Sequence, residues 1–180
     1  MVILDKFCAK TAHRIIDDVI AALVARNKMQ PDEARKTAKE SDVFVTKALG
    51  VLQEQGVYAA VLFIESRFGA ELKDKNARDD DDKKVKTEKI ISRVLLVNVL
   101  RLLAEDDLTG LQAAYRKEDF NDDEKDWLQW VQDNRQSILR HFAEGVNGQN
   151  GIATNLQRLL AVKSLFEQTL IYVRYGAKAL

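Results

Sequence analysis

The side chains with the clearest capacity for chemistry are cations at helical spacing. Lys6, Lys10 and Arg14 recur every four residues, which lines them along one face of a helix. Lys89, Arg93 and Arg101 repeat the pattern, with Lys86 just before them. Lys163 and Arg174 are eleven apart and return to one face, which Lys178 continues. Like charges four residues apart repel by about a few tenths of a kcal/mol per pair, so each row calls for an acidic neighbour or an anionic partner. Pairing with the chain's own acids, or simple solvation, is the plainer reading of any single row. Three rows together make contact with a phosphate backbone worth carrying, and such contacts position a nucleic acid without reading its sequence.

Catalytic and metal constellations are absent from the sequence. Cys8 and His13 are five apart, about 140° around a helix, and do not share a face. Cys8 reads as a small packed residue, and His13 and His141 as partly exposed helix positions. One Cys and two His contain no HExxH or CxxC spacing. The run Asp79 to Asp82 is rich in oxygens, yet a calcium loop counted from Asp79 puts Lys84 where Gly is needed and Ile90 where the bidentate acid belongs. Gly148-Gln149-Asn150-Gly151 precedes a helix without the GxGxxG pattern that would select a nucleotide. No catalytic residue, no metal and no cofactor is expected.

The elements that must position these residues follow from composition. With 180 residues, 46% hydrophobic and 31% charged, the chain suits one folded domain, 1–180. One Pro and eight Gly are too few for a turn-rich sheet protein. Ile15, Ile16, Val19, Ile20, Leu23 and Val24 form an apolar stripe on a first helix, about residues 4–26. Pro31, Asp32 and Glu33 open a second segment, broken near Ser41-Asp42 and closed by Gly56. The helix from Val57 to Ile64 is apolar on every side, which places it at the centre of a bundle. Residues 73–84, KDKNARDDDDKK, read as solvated loop, giving a charged loop near 70–86. Further helices are expected at about Thr87 to Ala104, Leu108 to Arg116, Asn121 to Glu144 and Ala153 to Tyr175, with a flexible connection near 145–152. The fold class is all-α, a compact bundle of about six to seven helices.

Net charge is zero, 28 basic against 28 acidic side chains, which excludes indiscriminate attraction to nucleic acid or anionic membrane. The balance is uneven along the chain. Residues 73–126 carry twelve basic and fifteen acidic side chains, and residues 127–180 carry six and three. A lone Cys fits a reducing compartment. The longest nearly apolar runs, Val57 to Ile64 and Val94 to Leu103, fall short of the roughly 20 residues that span a bilayer. A cytoplasmic protein with no membrane partner is expected.

Three segments resemble a known family. Ala48-Leu49-Gly50-Val51-Leu52-Gln53-Glu54-Gln55-Gly56-Val57-Tyr58-Ala59-Ala60-Val61-Leu62-Phe63-Ile64-Glu65-Ser66-Arg67 is similar to a helix, tight Gly turn and small-apolar helix found in the small subunit of type III-B (Cmr-type) CRISPR effector complexes. The opening Phe7-Cys8-Ala9-Lys10-Thr11-Ala12 resembles that family's first helix. Leu165 to Ala177, ending Tyr172-Val173-Arg174-Tyr175-Gly176-Ala177, resembles its aromatic-basic-aromatic finish. The acidic loop and the stretch from Leu108 to Gly145 are additions to the family pattern. The resemblance implies a non-catalytic helical subunit that stacks in several copies beside the guide-RNA filament and helps line the target-RNA groove. Its implied partners are the other subunits of the complex and guide or target RNA within the assembly, with self-association a further expectation. The basic positions matching the family are Lys10, Arg67 and Arg174, with Gly56, Phe63 and Ala177 as fold positions. Lys6, Arg14, Lys163 and Lys178 join them from the cationic rows alone. The alternative is a helical protein–protein interaction module with no nucleic-acid role, in which acids of the chain cover the rows. An isolated chain with no net positive charge is expected to bind RNA weakly at physiological salt.

Overall fold

Helix boundaries follow local chemistry. Helix α1 (Val2–Asn27) ends where Lys28 turns left-handed, with φ 52°. Helix α2 (Pro31–Ala38) starts on Pro31, with Asp32 and Glu33 in its first turn against the positive end of the dipole. A two-residue turn leads into α3 (Ser41–Gln55), so the break expected near Ser41 is present. Gly56 then serves two helices. Its N–H donates to Leu52 O at 3.1 Å, and its carbonyl accepts from Ala60 N at 3.1 Å to open α4 (Val57–Ser66). Its φ of 88° and ψ of −176° fall in a region open essentially to glycine, although a Cβ there would meet no neighbour. The constraint is on the backbone alone.

The computed structural model describes residues 2–67, 79–105, 136, 139–140, 142–144 and 151–180. The expected helix from Leu108 to Arg116, most of the one from Asn121, and the connection from 145 to 150 lie outside these residues. The described residues are all-α, with no strand among them. Helix α5 (Asp79–Glu105) starts earlier than expected. The Asp-rich run belongs to its first turns rather than to a loop, in keeping with the preference of helix N-termini for negative charge. A 3-10 turn (Ile152–Thr154) precedes the C-terminal helix α6 (Leu156–Ala179). Asn155 caps α6, its side-chain oxygen accepting from Arg158 N at 3.1 Å.

The centre of the fold is α5 rather than α4. From Val94 to Leu100 every residue of α5 is buried, around the whole helix. Helix α4 buries Val57, Ala60, Val61 and Ile64 but leaves Tyr58 and Leu62 exposed. The all-round apolar pattern of α4 therefore overstates its burial, because α4 packs at the edge against α3 and α5. Leu156 and Leu160 of the last helix are also exposed, at 69% and 56%, whereas Leu165, Phe166, Leu170 and Val173 are buried.

Helix α6 lies between α1 and α3. Cys8 meets Leu165 and Ile16 meets Gly176, so α1 and α6 run in the same direction. Gln53 donates to Glu167 at 2.9 Å and Asp42 meets Arg174, so α3 runs opposite to α6. Gln168, Tyr172 and Gly176 face α1, while Glu167, Arg174 and Lys178 face α3; at about 100° per residue these flanks are about 140° apart. Gly176 lies under the Ile16 side chain, and a Cβ there would require the terminal Cδ1 of Ile16 to move aside. Phe166, fully buried, meets Phe142 edge-on with ring centroids 6.2 Å apart. Each such side chain taken out of water contributes about 1.5–3 kcal/mol.

Candidate nucleic-acid interface

The cationic row on α1 divides. Cys8, Ala12, Ile15, Ile16 and Val19 take the core side, which leaves Lys6 and Lys10 on the opposite, solvent-facing side. Both are exposed, and among the described residues neither forms an ion pair. His13 and Asp17 lie on this outer side too, 3.6 Å apart. Arg14 is different. It is half-buried and turned towards α5, where its charge and that of Arg101 act on Asp18. Burial pushes the Asp18 carboxyl above the usual carboxylate range; the hydrogen bond from Asn98 Nδ2 at 2.8 Å and the charges of Arg101 and Arg14 pull the other way. Asn98 is itself fully buried and also donates to Val94 O at 3.1 Å. Arg14 thus belongs to the α1–α5 seam.

On α5 the described cations of the row, Lys89, Arg93 and Arg101, are none of them fully exposed. Arg93 and Arg101 are half-buried, and burial, then the nearby charge of Arg26, lowers the Arg93 pKa.

The basic end of α6 meets an acid that sequence spacing does not reveal. Arg174 Nε lies 3.2 Å from Asp42 Oδ1, and Lys178 Nζ lies 3.9 Å from Asp42 Oδ2. Asp42 sits in the first turn of α3. It is 132 residues from Arg174 in the chain, so only the α3–α6 packing brings the two together. The single local signal was an acid at a helix start, which the dipole already explains. Lys163, on the same flank of α6, is half-buried and forms no ion pair among the described residues.

Arg67 closes α4. Its guanidinium lies 5.3 Å from the centre of the Phe63 ring, and its Nη1 lies 3.7 Å from Glu88 Oε1 on α5. Phe63 stacks on Phe44 of α3 with centroids 5.7 Å apart. Beside this stack opens a groove of about 300 Å³, lined by Glu40, Val43, Phe44, Lys47, Glu88 and Ile91.

The seven expected positions therefore occupy separate places. Lys6 and Lys10 share the outer face of α1, Arg14 enters the α1–α5 seam, Arg67 lies at the α4–α5 end, and Lys163, Arg174 and Lys178 lie on the α3 flank of α6. Because α1 and α3 take different flanks of α6, the α1 pair and the α6 group do not merge into one stripe.

The polar contacts on the other flank of α6 are structural in kind. Asp5 accepts from Gln168 Nε2 at 2.8 Å and from the Tyr172 hydroxyl. That bond to a carboxylate raises the Tyr172 pKa, with desolvation adding to it. Cys8 is buried, its Sγ 3.8 Å from Leu165 O, and His141 lies outside the described side chains. Among the described residues no group of three or more His, Cys, Asp or Glu is placed to hold a metal ion, and no helix is long and apolar enough to cross a membrane. No protein-family model matches the chain, and no curated protein or solved structure matches it either.

Proposed function

We propose that this chain is a non-catalytic small subunit of a type III CRISPR RNA-guided effector complex, a single-domain bundle of six to seven helices acting in the cytoplasm. It stacks along the complex beside the larger subunits and presents basic helix faces to the target-RNA groove. The observation that carries the reading is the pair Lys6 and Lys10. Two cations share one outward helix face, neither paired to an acid among the described residues, and an anionic partner would offset their repulsion. The three ordered sequence patches supply the identity of that partner. The glycine-only conformation of Gly56, at the position matching the family's tight turn, supports the same assignment.

The test is purification of the full chain from its own cells. The reading expects larger effector subunits and a bound guide RNA to accompany it. It further expects Lys6→Glu/Lys10→Glu in that assembly to weaken single-stranded RNA binding about tenfold at low salt and to flatten its salt dependence. Recovery without RNA, or unchanged affinity and salt slope, overturns it.

A second reading, a helical protein–protein interaction module, is favoured by the pairing of Arg67 with Glu88 and of Arg174 and Lys178 with Asp42. It expects the same purification to return protein partners and no nucleic acid.

A further inference from the structure

We infer that Asp42 is a built-in competitor for phosphate at the basic end of the C-terminal helix, so that RNA reaches Arg174 and Lys178 only by displacing a carboxylate. The inference rests on the RNA-facing reading above and adds how one of its contacts is regulated.

The geometry supports exchange rather than a fixed lock. One carboxylate spans a guanidinium and an ammonium, Oδ1 to Arg174 Nε at 3.2 Å and Oδ2 to Lys178 Nζ at 3.9 Å. Two oxygens of a phosphodiester, sharing one negative charge, fit the same seat. The seat opens to solvent: the Arg174, Lys178 and Asp42 side chains are 36%, 47% and 25% exposed. Both contacts are loose. Arg174 engages Asp42 through Nε without a second parallel hydrogen bond, and Lys178 stands beyond hydrogen-bond distance. The seat lies at the first turn of α3, where the N–H groups of Asp42, Val43 and Phe44 already donate to Lys39 O and Glu40 O, so the two cations are what an incoming phosphate meets.

Among the described residues Lys6 and Lys10 have no such internal rival. The two basic regions therefore respond differently to removal of one negative charge at position 42. An RNA strand entering the α3–α6 seam exchanges one anion for another and gains little. On α1 it neutralises charge outright.

The experiment uses the full chain and a labelled single-stranded oligoribonucleotide of about 20 nucleotides, titrated at several KCl concentrations. Asp42→Asn keeps the side-chain shape and removes the charge; Asp42→Ser is a second variant that removes the charge with a smaller polar side chain. Both are expected to bind the RNA about three- to tenfold more tightly at low salt. Their log–log salt dependence should steepen by about 0.7 to 1.4, the release expected for one to two single-strand phosphates. Adding Arg174→Gln/Lys178→Gln to Asp42→Asn is expected to abolish the gain, which ties it to these two cations. Equal or weaker binding by both Asp42 variants, or a gain that survives loss of Arg174 and Lys178, overturns the inference. Those results leave the role of Lys6 and Lys10 standing, since that is read from the assembled complex. Tightening by the Asp42 variants with no effect of Lys6→Glu/Lys10→Glu in the assembly upholds the competitor and removes the α1 face.

Discussion

The outer face of α1 and the basic end of α6 carry the same kind of residue at the same kind of spacing, and the fold treats them in opposite ways. Lys6 and Lys10 stand in solvent, and among the described residues no acid pairs with either. Arg174 and Lys178 converge on a single carboxylate from another helix. Spacing decides which residues share a face; the neighbouring helix decides whether that face stays cationic. Arg14 makes the same point within one row, since a turn of 80° relative to Lys6 brings it to the seam where Asp18 and Arg101 lie.

The contrast can be broken most severely by removing what holds α6 between α1 and α3. Phe166→Ala deletes a fully buried ring between the two flanks and is expected to lower stability by about 3–5 kcal/mol, read from urea unfolding followed by circular dichroism. A loss below about 1 kcal/mol would mean that α6 is not wedged as described. A smaller effect compares the two basic regions directly. Asp42→Asn should cost about 0.5–1 kcal/mol, the range of a partly exposed pair, whereas Lys6→Gln/Lys10→Gln should stay within about 0.5 kcal/mol of the parent. Equal costs at the two sites would erase the distinction between them.

The smallest expected effect concerns Asp18 and is one of sign. Its folded carboxyl titrates above the ordinary range, chiefly through burial, so the folded state holds that proton more tightly than the unfolded chain does. The charged form therefore costs stability at neutral pH. That cost is relieved as pH falls through the raised folded value and is gone below the unfolded one. Asp18→Asn should be at least as stable as the parent at pH 7, and the difference should shrink towards pH 4, in thermal melts across pH. A variant destabilised at pH 7 and matched at pH 4 would reverse the sign and show that the Arg14 and Arg101 charges outweigh burial.

Much of this architecture is legible in local sequence. Pro31, the break near Ser41, Gly56 and the apolar stripe of α1 each announce themselves through backbone geometry or helical period. What escapes is whatever depends on which helix lies beside which. The all-round apolar pattern of α4 marks a central helix, but centrality belongs to α5, where polar Asn98 disguises the all-round burial from Val94 to Leu100. The Asp-rich run reads as loop by charge and is helix by position. Asp42 as a partner of Arg174 has no local signature, and Leu156 and Leu160 fit an apolar period without a neighbour to cover them. The basic rows were thus readable as rows, and their exposure was not.

The parallel contact between α1 and α6 also carries a consequence in time. Cys8 and Leu165 touch across 157 residues of chain. At a synthesis rate of about 5–20 residues per second, the first helix waits roughly 8 to 30 s for its last neighbour to leave the ribosome. During that interval the flank of α1 that carries Ile16 has no Gly176 to close over it. The wait before α1 meets α6 is therefore fixed by topology, and the flank of nascent α1 that α6 covers needs protection throughout it.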